Sequence, residues 1–319
     1  MLREMRSAIV YGVGFAALAA CGTNELEPIH DPPATDAGVV EAPGPREGGT
    51  ADTARGDGRA PAIANAACKR GVAANDSPSP AFAPSASLPG VSWWYNWSAQ
   101  KPGGDARIEF VPMIWGGQSL TQSVPVGSRY LLGFNEPDFK SQSNLTARQA
   151  AADWPALEAK ARAAAIPVVS PGVNFCGGAS SSSQCSDPAV TDPYTYLRDF
   201  FAACSGCTVD AIAVHAYDCD LPSLRDYLEG NTATGGALQG FLQFGKPIWI
   251  TELACDAGHS VADQKAFMQA AVPYLEGSAS VFRYAWFNAK NIPNALLTNP
   301  DGSLTDLGTT YAGLPAACR

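Results

Sequence analysis

LLGFNEPD, residues 131–138, is an apolar and aromatic run that stops abruptly on an acid, and IWITELA, residues 248–254, does the same around Glu252. Nearly continuous apolar runs of this length are what a strand buried on both faces looks like. Such strands would deliver Glu136 and Glu252 to the end of a sheet. Pro137 stops ladder pairing directly after Glu136, because it has no N–H to donate, and Asn135 sets a second hydrogen-bonding side chain beside the acid. Either glutamate alone reads equally well as a solvated loop residue; the Asn-Glu-Pro context is what favours a site. Two carboxylates facing each other across a sugar are the minimum equipment for cutting a glycosidic bond.

Working outward from these two runs, strand-like segments recur at residues 69–75, 90–97, 108–115, 130–137, 166–173, 209–217, 246–254 and 281–288. The segments between them are helix-like where they are long enough to judge. Residues 146–165 open with Thr146 and Gln149 at capping-box spacing and continue Ala-rich, with Pro155 predicting a break or kink. Residues 194–203 and 261–276 also read as helices. Eight alternations predict a single α/β domain, a (β/α)8 barrel, although the first two connections are poorly helical. In that architecture active sites lie at the C-terminal strand ends, so Glu136 ends strand four and Glu252 strand seven.

The chain has 319 residues, and its two ends are unlike. Residues 1–21 read as an export signal: Arg3 and Arg6, an apolar stretch, then Leu18-Ala19-Ala20-Cys21, which resembles the lipobox at which a lipoprotein cysteine is lipidated. Residues 22–66 are rich in Pro, Gly, Ala and acids and nearly free of large apolar side chains, so a disordered tether is expected, with a reach of roughly 35–40 Å. The folded domain is then residues 67–319. Export with a lipid anchor on the bacterial surface or outer membrane, or secretion, follows as the expected location. The anchor would be the only membrane contact, and a monomer is expected. The net charge of −9 with no basic cluster argues against nucleic acid and leaves a neutral polymer as a compatible partner.

Nine cysteines is an odd number, and assigning Cys21 to the lipid leaves eight. A zinc site is disfavoured, because the chain has three histidines and Cys204-x-x-Cys207 has no second pair at ligand spacing. Neither a metal nor a cofactor is expected. In an oxidising compartment the eight would make four disulfides. Local spacing suggests Cys176–Cys185 and Cys204–Cys207; Cys219 and Cys255 follow neighbouring strands, and Cys68 with Cys318 would tie the termini.

The segments SWWYNW, FVPMIWG, GFNEPD, SQSNLT, VHAY, WITE and RYAWF, in this order, resemble glycoside hydrolase family 128, retaining enzymes of clan A that include β-1,3-glucanases. The resemblance implies Glu136 as general acid/base, Glu252 as nucleophile and Asn135 on the sugar hydroxyl next to the reacting carbon. It further implies that His215 and Tyr217 orient the site and that Trp286 stacks on a sugar ring. Trp97 and Trp115, at strand ends, are the other stacking candidates, since sugar faces are apolar. The insert between Cys176 and Cys185 departs from the family pattern. The expected activity is endo-β-1,3-glucan hydrolysis. A non-catalytic glucan-binding lipoprotein and a clan A enzyme for another β-linked polymer are the alternatives left open.

Overall fold

The computed structural model describes residues 68–74, 88, 90–101, 108–177, 182–230, 240–316 and 318, so the expected signal, lipobox and tether lie outside the described residues. Eight parallel strands form one sheet: β1 (Arg70–Ala73), β2 (Trp93–Tyr95), β3 (Glu109–Phe110), β4 (Leu131–Leu132), β5 (Val168–Val173), β6 (Ala211–Ala216), β7 (Ile248–Leu253) and β8 (Val281–Phe287). Their spatial order is β3-β2-β1-β8-β7-β6-β5-β4. Residues just beyond β3 close the circuit, with a parallel bridge between Met113 and Leu132 and a hydrogen bond from Leu132 N to Pro112 O at 2.9 Å. The sheet is therefore the wall of a barrel. Each of the eight strand-like segments read from the sequence contains one strand.

Among the described residues five α-helices follow the last five strands: α1 (Ala147–Ala164), α2 (Pro193–Ala203), α3 (Leu221–Glu229), α4 (Val261–Gly277) and α5 (Asp306–Gly313). Among the described residues the first three connections carry only a 3-10 turn at Gly117–Ser119. α1 starts at the expected capping box: Thr146 Oγ1 accepts from Gln149 N, and Gln149 Oε1 accepts from Thr146 N. Of the break or kink expected at Pro155, a break does not occur, and α1 runs on to Ala164. Trp154, Leu157 and Ala161 flank the proline and are buried against the barrel, and this burial outweighs one missing backbone bond. No described helix is long and apolar enough to cross a membrane.

Rings from strands that are not neighbours meet across the floor of the barrel. Trp93 on β2 packs edge-on against Trp249 on β7 at 5.1 Å, and Trp249 against Tyr130 at 5.0 Å. Arg283 of β8 lies among them, 4.5 Å from the Tyr130 ring centre, and pairs with Glu109 at 2.6 Å. Gly71 makes the space, because a Cβ there would lie 2.3 Å from the Trp93 ring.

All four expected disulfides are present: Cys68–Cys318, Cys176–Cys185, Cys204–Cys207 and Cys219–Cys255. The first is reinforced by Arg70, fully buried beside it. Its guanidinium donates to the carbonyls of Tyr311, Leu314 and Pro315 and lies 3.5 Å from Glu276.

Candidate active site

At the C-terminal end of β4 the backbone is clamped on both sides. Asn135 N donates to Trp115 O and Glu136 N to Gly172 O, each at 2.8 Å. Glu136 is held at φ 37° and Trp97 at φ 59°, in the left-handed region that side-chain-bearing residues avoid. Backbone strain of this kind persists only where the surroundings over-determine it.

Glu252 reaches the mouth by a different device. On β7, Ile250 pairs with Val214 of β6, but the next pair is Glu252 with His215, leaving Thr251 as an extra residue. Strand alternation from inward-facing Trp249 would turn Glu252 to the outside. The bulge resets the alternation and brings Glu252 inward beside His215.

The two glutamates share one imidazole. His215 Nδ1 lies 2.8 Å from Glu136 Oε1 and 3.2 Å from Glu252 Oε2. One polar atom from each of the three residues lies within 4.8 Å of the other two. Glu252 is 4% exposed and receives three donors: Trp97 Nε1 at 2.7 Å and Tyr95 Oη at 3.3 Å on Oε1, and the Tyr217 hydroxyl on Oε2.

Burial pushes the Glu252 carboxyl above its ordinary value; the charge of Glu136 adds to this, while His215 and the Tyr217 and Trp97 donors oppose it. For His215 burial acts downward, but the carboxylates of Glu252, Glu136 and Asp138 outweigh it and hold the imidazole above its usual value. Burial and the same two glutamates push Tyr95 and Tyr217 well up, so both hydroxyls remain donors. Glu136, His215 and Glu252 could offer ligand atoms to a metal ion.

The family model described as glycosyl hydrolase catalytic core matches residues 71–311. A solved family 128 (subgroup II) endo-β-1,3-glucanase from Sorangium cellulosum is 38% identical, with a TM-score of 0.60 and coverage of 78% of this chain and 99% of that one. The chain belongs to glycoside hydrolase family 128. A subgroup I endo-β-1,3-glucanase of this family from Amycolatopsis mediterranei, solved as a mutant in complex with laminarihexaose, is 28% identical with a TM-score of 0.60, covering 78% of this chain and 100% of that one. Alkali-sensitive linkage protein 1 of Schizosaccharomyces pombe is 30% identical over 241 residues, which is 70% of this chain but 40% of that protein's length.

In this family 128 domain most of the residues singled out from the sequence converge. Glu136, Glu252, His215 and Tyr217 meet at the mouth, and Asn135, just before Glu136, donates Nδ2 to Gln142 Oε1 at 3.3 Å while its Oδ1 is buried with no hydrogen-bond partner. Trp97 is there too, with its indole N–H on Glu252. Trp115 is half-buried on the β3 side, and its carbonyl anchors Asn135.

Trp286 is a correction. It is fully buried, donates Nε1 to Ala295 O at 2.9 Å and packs against Phe267 of α4 and Tyr311 of α5, so no face is free for a sugar. It pairs with Val72 and Leu253 on the helix-facing side of the sheet. The inward residue is the next one, Phe287, whose ring lies 5.6 Å from both Trp97 and Tyr217. Tyr95, Thr251, Asp138 and Phe287 were not anticipated. Asp138 is 2% exposed, and burial holds its carboxyl well above the usual range; its place two residues after Glu136 was the available signal.

Proposed function

We propose that the domain is a retaining endo-β-1,3-glucanase. The observation that carries this reading is the short separation of Glu136 and Glu252, whose facing oxygens lie within 4.8 Å. Inverting enzymes need a gap of roughly 6.5–9.5 Å to admit a water, whereas retaining ones hold their carboxyl groups roughly 5–5.5 Å apart. Support for the β-1,3 linkage comes from the family 128 relatives, one of them solved with laminarihexaose.

Glu252 attacks the anomeric carbon while Glu136 gives its proton to the glycosidic oxygen, so the C–O bond breaks and a glycosyl ester forms on Glu252. Glu136 then takes a proton from water, whose oxygen displaces Glu252 and restores the original configuration. Tyr95, Trp97 and Tyr217 fix the nucleophile, and His215 links the two carboxyls so that their proton is shared. Asn135, next to Glu136, would bind the neighbouring sugar hydroxyl. Export and a lipid anchor at Cys21 belong to the same proposal and rest on the N-terminal sequence. Aromatic stacking by Trp97 and Trp115 belongs to it as well.

Azide rescue separates the two roles. With Glu252→Gly, azide is expected to attack an activated β-laminarioside directly and give the α-azide. With Glu136→Ala, the ester still forms and azide resolves it to the β-azide. Swapped products would exchange the assignments, and full laminarin hydrolysis by either variant would overturn the mechanism.

A further inference from the structure

Phe175, two residues beyond β5, is 42% exposed and is the one aromatic among the large hydrophobic side chains exposed in the described residues. Its ring is held rather than loose. Tyr194 meets it edge-on at 5.9 Å and Tyr227 at 5.8 Å, and the Tyr194 hydroxyl donates to Tyr227 O at 2.9 Å. The backbone around it is fastened to the segment that follows Glu136. Asn174 N donates to Asp138 Oδ2 at 3.2 Å. The Cys176–Cys185 disulfide continues the connection, because Cys185 pairs with Phe139 and its neighbours exchange backbone bonds with Asp138 and Lys140. An ordered aromatic face open to water is an unpaired apolar surface on the rim of the site, the kind of surface a ligand covers.

Its place on the rim says which part of a ligand. Two of the three donors on Glu252, Tyr95 and Trp97, come from β2 and the residues just after it, and the third, Tyr217, follows β6, whereas Phe175 follows β5, whose Gly172 O accepts from Glu136 N. The sugar that takes its proton from Glu136 leaves past that side. We propose that Phe175 is the stacking platform for a leaving-side glucosyl residue of the β-glucan, positioned by the Cys176–Cys185 disulfide. A pyranose ring presents apolar C–H faces that suit an aromatic ring. This inference rests on the glucanase reading above and adds a specificity-determining residue to it.

The test compares two substrates in the full chain: laminarihexaose, which fills the leaving side, and β-laminaribiosyl fluoride, whose leaving group has no ring. Phe175→Ala is expected to lower the ratio of kcat/KM for the hexaose over the fluoride by about 10-fold, the low end for one lost apolar pocket contact. Phe175→Trp should recover most of that ratio, since the need is for an aromatic face. Equal losses on both substrates would make Phe175 a structural residue and overturn the proposal, as would an unchanged ratio. An unaltered protein that cleaves neither substrate would sink the glucanase reading itself, and the subsite with it.

Discussion

At the floor of the barrel one buried cation meets one carboxylate: Arg283 pairs with Glu109 at 2.6 Å, and the faces of Tyr130, Trp249 and Trp93 lie 4.5, 4.8 and 5.5 Å from its guanidinium carbon. Two of its nitrogens lack acceptors, and the ring faces stand in for them. At the mouth the charge count is reversed, with Glu136, Glu252 and buried Asp138 around the single imidazole of His215. There the backbone is strained at Glu136 and Trp97, and Asn135 Oδ1 and His215 Nε2 have no partner. One barrel thus holds matched charge where nothing reacts and mismatched charge where a proton must move. The floor is arranged for stability. The mouth gives up stability for reactivity, a trade common to active sites.

The largest effect that probes this contrast is expected from Glu252→Gln. Activity on laminarin should fall by at least about 10³-fold, because a neutral amide cannot act as the nucleophile. The melting temperature should hold or rise, since a buried ionisable group is replaced by a neutral one. A clear drop in melting temperature would show that the mouth is stabilised by its charges after all.

At the floor the pattern should invert. Arg283→Met strips Glu109 of its partner, and removing one member of a buried pair costs about 3 kcal/mol, read as a lower urea midpoint. Activity per folded molecule should stay within about twofold, because the layers meet through Trp93 stacked on Tyr95 at 6.2 Å, and the substitution leaves both rings in place. A large change in kcat would break the separation.

The smallest effect sharpens the description of the mouth. The Tyr217 hydroxyl bonds to the ionised form of Glu252 and so lowers its pKa. Tyr217→Phe deletes that bond, the carboxyl titrates higher, and the ionised nucleophile appears only at higher pH. The acidic limb of kcat/KM should therefore move upward, by about one pH unit for one bond to a charged group. A downward move would mean that the hydroxyl serves another partner.

Sequence carried the barrel and its chemistry unevenly. The strands were legible because buried parallel strands read as apolar runs, and Glu136 because Pro137 ends its strand on the next residue. The route of Glu252 was not, since the bulge at Thr251 is a matter of register between strands and leaves no mark in IWITELA. The same limit moved the inward aromatic from Trp286 to Phe287: a run of apolar residues does not announce which face each one takes. Tyr95 hid for that reason inside SWWYNW. Pro155 could not tell a break from a continuous helix, because the cost of one proline is local, while the burial that offsets it comes from the barrel beneath α1.

The Cys68–Cys318 bridge joins the strand that opens the domain to the segment that closes it. A pull applied to the two ends would therefore travel through the sulfur–sulfur bond and bypass the chain between, a sequence separation of 250. For a domain that grips a polymer from one end of its barrel, this bond is a mechanical shunt: tension runs past the hydrogen-bonded wall without shearing it, and the alignment of Glu136 and Glu252 is kept under load.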